Sequence, residues 1–423
     1  MSIDWIAVLA VIQHSLLYTV ALFFFAAYPI VTGIMWITTS LFFRSRWESK
    51  DKDAEEPGNY QPKVSILIPA HNEEHVLAAA LDAACRIEYP HYEVVVVDDG
   101  STDKTSQVIE SYVQSGKVRG VYKQQNQGKA MALNDALPCL NGEIVLIMDA
   151  DAEPAPDIIR RMLPHFASAR VAAVTGNPRV KNVDTFLARL QLMEFTSIVS
   201  LLRRSQRIWG RIVTVSGVVA AFRKAALFDA GGFSPDMATE DIEMTWKLQK
   251  RFWDVRYEPR AIVWMTVPST YKSHFKQRLR WARGLMQVLR RHCDVLANWK
   301  LRRMWPIYLE SVLSTLWAIS FVVLTSIWVV SYSMGVPPVG ANPIPNFWGM
   351  VIATICIVQL ITGTWMDRRY DPETTRYFPY AVYYPIVYWM ILQVTTVVSL
   401  HHLLLKPGRK AVRWTTQRQK TET

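Results

Sequence analysis

Five short groups of polar residues stand where chemistry could be done. Asp98-Asp99-Gly100-Ser101 follows the apolar run Val94–Val97, and Asp149-Ala150-Asp151 follows Ile144–Met148. Pro69-Ala70-His71-Asn72-Glu73-Glu74 follows Val64–Ile68, and Thr239-Glu240-Asp241 opens a helix-like stretch, Ile242–Leu248. Gln277-Arg278-Leu279-Arg280-Trp281 lies in a basic segment with seven Lys or Arg between Lys272 and Arg291. Each group has an ordinary reading when taken alone. Acidic residues cap helices and favour their first turn, and a basic amphipathic helix rests against anionic headgroups. The pair Asp149 and Asp151 asks for more. At i, i+2 on an extended chain both carboxylates share one face, where they repel unless a cation lies between them. One or two carboxylates together with phosphate oxygens are the usual surroundings of magnesium.

The elements that must position these groups alternate between strand and helix. Candidate strands are Val64–Pro69, Glu93–Val97, Val118–Tyr122, Glu143–Met148 and Val171–Thr175, with helix-like stretches starting near Asn72, Asp103, Gly128 and Pro156. This alternation predicts an α/β domain with a mostly parallel sheet covered on both faces. Such sheets bind ligands at the carboxyl ends of their strands, where the acidic groups fall.

Around this insert the chain is apolar. Half of its 423 residues are hydrophobic, a fifth are charged, and the formal net charge is +11. That excludes a disordered chain and, with 18 Gly, a collagen-like one; the four scattered cysteines exclude a disulfide scaffold. They fit a reduced compartment. No Lys, Arg, Asp or Glu occurs in the 39 residues from Trp5 to Phe43. A single helix of that length would run about 58 Å, too long for a hydrocarbon core of about 30 Å. The sequence therefore predicts one span, Leu16 to Phe43, with Trp5–Gln13 as an interfacial segment or a cramped first span. Arg44, Arg46 and Lys50 follow directly and put the next segment in the cytoplasm. Pro306–Ser333, Phe347–Met366 and Tyr377–Leu405 are further apolar runs. Three full crossings there would leave the tail, with six basic residues between Lys406 and Lys420, outside. Either the tail breaks the rule or one run does not cross; Pro379 and Pro385 single out the last run as broken or re-entrant. The count stands at four or five. The predicted organisation is a membrane segment 1–43, a catalytic domain 44–270, interface helices 271–304, membrane helices 305–405 and a basic tail 406–423.

In this order, Asp98-Asp99-Gly-Ser, Asp149-x-Asp151, Thr239-Glu240-Asp241 and Gln277-x-x-Arg280-Trp281 between membrane spans, the chain resembles the processive family 2 glycosyltransferases that make cellulose, chitin, hyaluronan and poly-N-acetylglucosamine. Asn126–Ala130, Val174–Arg179, Thr214–Arg223, Met237–Ile242 and Lys276–Ala282 bring it nearest to the bacterial poly-β-1,6-N-acetyl-D-glucosamine synthases of biofilm exopolysaccharide. The resemblance implies a GT-A type domain and an inverting transfer from UDP-GlcNAc, with Mg2+ or Mn2+ as cofactor. It also implies roles. Asp99 and Glu73 would hold the uridine, and Lys129 would meet a phosphate charge. Asp149 and Asp151 would bind the sugar nucleotide and the metal, Asp151 more closely. Gln277 and Arg280 would meet the diphosphate, a planar guanidinium suiting phosphate oxygens. Asp241, in the acidic pair with Glu240, would take the acceptor's proton, and Trp281 would stack on the acceptor sugar. Glu310 could line a channel for the product.

The resemblance further implies a bacterial inner-membrane protein, the growing polysaccharide as acceptor, and a small two-span membrane partner on which cyclic di-GMP acts. The tail around Arg409, Lys410, Arg413 and Trp414, and the run Arg203-Arg204-Ser-Gln-Arg207, could offer charge to that dinucleotide or to lipid headgroups. Nothing calls for nucleic acid. A lipid-carrier transferase, another β-linked polymer synthase and a non-catalytic nucleotide sensor are the competing readings.

Overall fold

The computed structural model describes residues 4–48, 60–336 and 347–404. Its centre is an eight-stranded sheet in the order β3-β2-β1-β4-β7-β6-β8-β5. The strands are β1 (Val64–Ala70), β2 (Tyr92–Asp99), β3 (Arg119–Lys123), β4 (Ile144–Met148), β5 (Glu153–Pro154), β6 (Val171–Val180), β7 (Val219–Arg223) and β8 (Asp254–Met265). All five strands expected from sequence are present. β1 is buried at every position, as a strand covered on both faces must be, so it reads as one apolar run.

Four of the seven pairings are parallel and three antiparallel. The sequence reading missed β5, β7 and β8; of these β7 enters antiparallel between β4 and β6. Its loop is thereby laid beside the end of β4, and Val218 O accepts from Asp149 N at 3.0 Å. One face of the sheet carries α3 (Leu77–Cys85), α4 (Thr105–Gln114) and α6 (Ile158–Met162); the other carries α5 (Lys129–Ala136), α9 (Lys224–Asp229) and α10 (Glu240–Lys250). Helix α7 (Phe186–Met193) runs through a π-turn, Glu194–Val199, into α8 (Ser200–Trp209).

At the N-terminus α1 (Trp5–Gln13) and α2 (Leu16–Phe43) have the bounds expected of an interfacial segment and a span. After the sheet come α11 (Tyr271–Arg291), α12 (Asp294–Ala297), α13 (Trp305–Ser333), α14 (Phe347–Asp367), α15 (Trp389–Val398) and α16 (His401–Leu404). Among the described residues three helices are long and apolar enough to cross a membrane, within Leu16–Glu48, Trp299–Ser333 and Gly349–Asp367. The last apolar run is broken. It begins as a 3-10 stretch, Pro372–Tyr383, and a π-turn, Tyr384–Tyr388, and only then becomes α15. Proline lacks the amide a helix needs at positions such as Pro379 and Pro385. Both ends of this run lie against the sheet domain and its flanking helix. It follows Asp367, which pairs with Arg179 of β6, and at its far end Leu403 O accepts from Arg290 of α11. The basic tail from Lys406 lies outside the described residues.

Buried ion pairs tie the apolar helices to the sheet domain. Arg204 of α8 reaches Glu48 below α2 at 2.7 Å and Asp367 at the end of α14 at 2.7 Å, and Arg179 reaches the same Asp367 at 2.6 Å. Arg203 is buried too and donates to Gly176 O. The structure thus corrects the reading of Arg203 and Arg204 as charge offered to headgroups or a dinucleotide: both are spent inside the protein.

Candidate active site

Lysine 129 stands at the centre of the acidic groups. It is the first residue of α5, and its ammonium lies 2.7 Å from Asp149 Oδ1, 3.0 Å from Glu240 Oε1 and 3.2 Å from Gly217 O. Burial disfavours its charge, but Asp149, Glu240 and Asp241 together outweigh that and hold the pKa far above its ordinary value. Lys129 is therefore turned inward onto carboxylates and is not on a solvated helix face. Asp149 and Asp151 do not lie on an extended strand. β4 ends at Met148, and the pair lies on a turn closed by Ala152 N donating to Asp149 O at 3.1 Å. The shared face expected from i, i+2 spacing is replaced by a turn that leaves Asp149 half-buried and Asp151 buried.

Asp241 approaches the same centre from the first turn of α10. Its Oδ1 accepts from Ile242 N at 2.9 Å. Burial and the neighbouring Glu240 raise its pKa to about 6, against the opposing pull of Lys129, the Ile242 amide and Arg280. A β-carbon at Gly217 would lie 2.8 Å from Asp241 Oδ2 and 3.8 Å from the Lys129 ammonium. Glycine there lets the loop before β7 close on both charges, a residue the motif reading did not single out. Its signal was the pair Ser216-Gly217 just ahead of an apolar run.

On the other side of Lys129 lies a loop cradle. Asp99 is fully buried; its carboxylate accepts from Gly128 N at 2.7 Å and Gln127 N at 3.1 Å and pairs with Lys123 at 2.9 Å. In this structure it shapes the loop that leads into Lys129. His71 Nδ1 faces Asp99 O at 3.0 Å, and Asn126 Nδ2 approaches its Nε2 at 3.0 Å. Nδ1 can donate to that carbonyl and Nε2 can accept from that amide. Glu73 is buried beside this loop, its amide donating to Thr105 Oγ1 at 2.8 Å.

Helix α11 closes the site. Arg280 is exposed, with Nη1 3.4 Å from Ala238 O, and acts electrostatically on Asp241; Gln277 is half-buried one turn earlier. Trp281 is half-buried, with the Arg278 guanidinium 4.3 Å from its ring centre. Arg278 itself is buried and makes two hydrogen bonds to Glu194, at 2.8 and 2.6 Å, and one to Tyr388 Oη at 2.8 Å. Phe275, Leu279, Met286, Leu289 and Cys293 fall near helical spacing in the sequence, which predicts an apolar face that is only partly realised. Met286 and Leu289 are buried, but Phe275 and Cys293 are exposed while His274, Arg278 and Gln287 face inward. Burial pushes the His274 ring down to about 3, with Arg278 adding to it, so this histidine is neutral.

A model of glycosyl transferase family 2 matches residues 65–229. A poly-β-1,6-N-acetyl-D-glucosamine synthase of Staphylococcus epidermidis is 30% identical over 405 residues, covering 92% of this chain and 96% of its own length. The chain belongs to glycosyl transferase family 2. A second synthase of that name, from Staphylococcus aureus (strain COL), is 29% identical to this transferase over 402 residues, with the same coverage. Among solved structures, a mannosyltransferase from Pyrobaculum calidifontis in complex with GDP-Man and Mn2+ superimposes with a TM-score of 0.63 at 23% identity. It covers 92% of this chain and 100% of its own, a likeness in fold.

In this family 2 transferase Thr239 does not cap α10. No hydrogen bond joins its side chain to the first turn; it is buried against α11 instead. A β-carbon at Gly284 would lie 2.0 Å from Thr239 Oγ1 and 2.5 Å from its Cγ2. Gly284→Ala must push α11 off the acidic turn. It should destabilise the transferase by about 1–3 kcal/mol, the range for overpacking, and lower turnover as well. Thermal unfolding and initial rates check this, and a variant matching wild type in both would show that the contact gives way freely.

Proposed function

We propose that this transferase polymerises N-acetylglucosamine from UDP-GlcNAc into a β-1,6-linked polymer at the inner membrane of a bacterium, processively and with inversion, and passes the product across. The observation that carries the reading is the convergence of Lys129, Asp149, Glu240 and Asp241 beside the helix that bears Gln277, Arg280 and Trp281. The names of the two staphylococcal relatives supply the polymer.

Asp149, Glu240 and Asp241 act on the Lys129 ammonium, and Asp151 lies two residues beyond Asp149 on the same turn. No trio of His, Cys, Asp or Glu with metal-site geometry occurs among the described residues. A divalent ion that shares phosphates needs only one or two carboxylates, so the residues fit one. Asp149 and Asp151 would hold Mg2+ or Mn2+, which when bound neutralises the departing diphosphate.

The chain's own residues do the rest. Asp99 and the loop Gln127-Gly128, with Glu73, form the wall for the uridine. Lys129, held charged, offers its ammonium to the donor's phosphates. Arg280 and Gln277 approach the same diphosphate from α11. Asp241, opposite the donor loop, takes the proton of the acceptor hydroxyl as that oxygen attacks the sugar from behind. One such displacement turns an α-linked donor into a β-linked product. Trp281 stacks against the acceptor ring, which favours a sugar polymer over a lipid carrier as acceptor.

α2, α13 and α14 would cross the membrane, three crossings where the apolar runs gave an expectation of four or five. The broken run 372–404 would enter and leave on the side of the sheet domain, so that Leu404 ends in the cytoplasm and the positive-inside rule holds. The small two-span partner and its cyclic di-GMP belong to this reading.

Membranes carrying the chain should convert UDP-GlcNAc to polymer whose linkage analysis shows 1,6 bonds, and chelation of divalent ions should abolish the conversion. A 1,4 or 1,3 product would replace the polymer assignment, and full turnover in chelator would remove the metal.

A further inference from the structure

One cavity lies apart from this site, at the junction of α2 with the sheet domain. It has a volume of about 230 Å³, and Phe43, Trp47 and Tyr257 line it together with Arg207, Arg256 and Arg260. Trp47 lies just beyond the last residue of the apolar helix α2 and is 40% exposed. Tryptophan at such a position marks the level of lipid headgroups. The basic wall is thus at the depth where phosphates of the bilayer lie.

The charges around the cavity do not cancel. Asp254 is shared by Arg207 at 3.2 Å and Arg256 at 2.9 Å. Glu258 is shared by Arg260 at 2.8 Å and His165 at 2.9 Å. Glu48, which also lines the cavity, is shared by Arg204 at 2.7 Å and Arg369 at 3.2 Å, and Arg204 shares Asp367 with Arg179. On the wall of the cavity itself Arg207, Arg256 and Arg260 stand against Glu48 and Glu258. Arg211, two residues past the end of α8, interacts electrostatically with Asp254 and Arg207. Burial and the neighbouring Arg256 weigh against the charge on Arg207, while Asp254 only partly supports it. An anion entering the cavity would relieve that repulsion.

We infer that this cavity is a binding site for the phosphate headgroup of an anionic phospholipid, with Arg207 and Arg256 as its phosphate ligands and Phe43 and Trp47 flanking the glycerol and the start of the acyl chains. Guanidinium groups suit phosphate oxygens. The apolar side of the cavity continues into α2, whose Phe42 and Leu41 are exposed as lipid-facing residues would be. Its volume suits a headgroup better than a larger ligand, since pockets for drug-sized molecules run from about 300 to 1,000 Å³. The site does not depend on which sugar is polymerised.

The full chain, purified and reconstituted in nanodiscs, tests this by native mass spectrometry. Wild type should retain phosphatidylglycerol through mild delipidation and should not retain phosphatidylcholine. The double variant R207Q/R256Q should lose that retention by about thirtyfold, since each basic residue near anionic lipid contributes on the order of a factor of five. UDP affinity should be unchanged, which reports an intact fold. In wild type a photoactivatable phosphatidylglycerol should label the peptide containing Arg256 and Arg260, an arm that needs no variant. Equal retention by R207Q/R256Q, or label confined to other peptides, overturns the site. Displacement of the lipid by millimolar inorganic phosphate overturns the lipid as occupant and assigns the cavity to a soluble phosphate.

Discussion

Asp241→Asn should abolish polymer synthesis while leaving UDP affinity unchanged. Removing a general base costs about 10²–10⁴ in rate, and asparagine keeps the size of the side chain and its bond from the Ile242 amide. The proposed donor side, Asp99 with the Gln127 and Gly128 amides, is untouched. Turnover with UDP-GlcNAc and UDP binding by calorimetry separate the two effects. The pH profile gives an independent check. A base must be ionised to act, and burial with Glu240 raises Asp241 to about 6. The rate should therefore fall as pH drops through about 6. Glu240→Gln removes a negative neighbour and should move that acid limb to lower pH. An unmoved limb, or an Asp241→Asn enzyme at wild-type rate, would assign the proton transfer to another group.

Arg204→Met should be the most damaging change outside the site. Its guanidinium is fully buried and holds Glu48 at 2.7 Å, Asp367 at 2.7 Å and Ser200 Oγ at 2.6 Å. Removing one partner of a buried pair leaves carboxylates short of compensation and costs about 3–5 kcal/mol. Glu48 keeps Arg369 and Asp367 keeps Arg179, which places the loss toward the lower end. The ends of α2 and α14 would then lose their shared tie to the sheet domain. Denaturant unfolding in detergent measures the cost, and limited proteolysis reads the tie. Arg251→Ala is the control. Its pair with Asp229 is about half exposed on both sides, so it should change stability by less than about 1 kcal/mol. Equal stability of Arg204→Met and wild type would mean that packing alone holds the helices to the domain.

The sequence alone determined the elements whose signal is local. The runs that became β1, β2, β4 and β6 announce themselves because a strand buried on both faces is a continuous hydrophobic stretch, while β3, a partly exposed edge strand, was legible only as a short β-rich run. α2 has the bounds read from it, since a span is defined by length and lack of charge. The acidic groups at strand ends were legible for the same reason, and so was the break at Pro379 and Pro385.

Only the tertiary structure decided the partners. β5, at two residues, is too short to carry a local pattern, and β7 and β8 are placed by distant neighbours, β7 antiparallel between β4 and β6 and β8 beside β6. The turn at Asp149 and Asp151, the approach of Gly217 to Asp241 and the packing of Gly284 on Thr239 depend on segments that are remote in sequence. Charge misled most clearly. Arg203, Arg204 and Arg278 read as a solvated or lipid-facing basic surface, yet all three are buried, and the partners of Arg204 and Arg278 include residues 156 and 84 positions away. A buried charge needs an opposite charge or hydrogen-bond acceptors to meet it, and where these converge is a property of the fold.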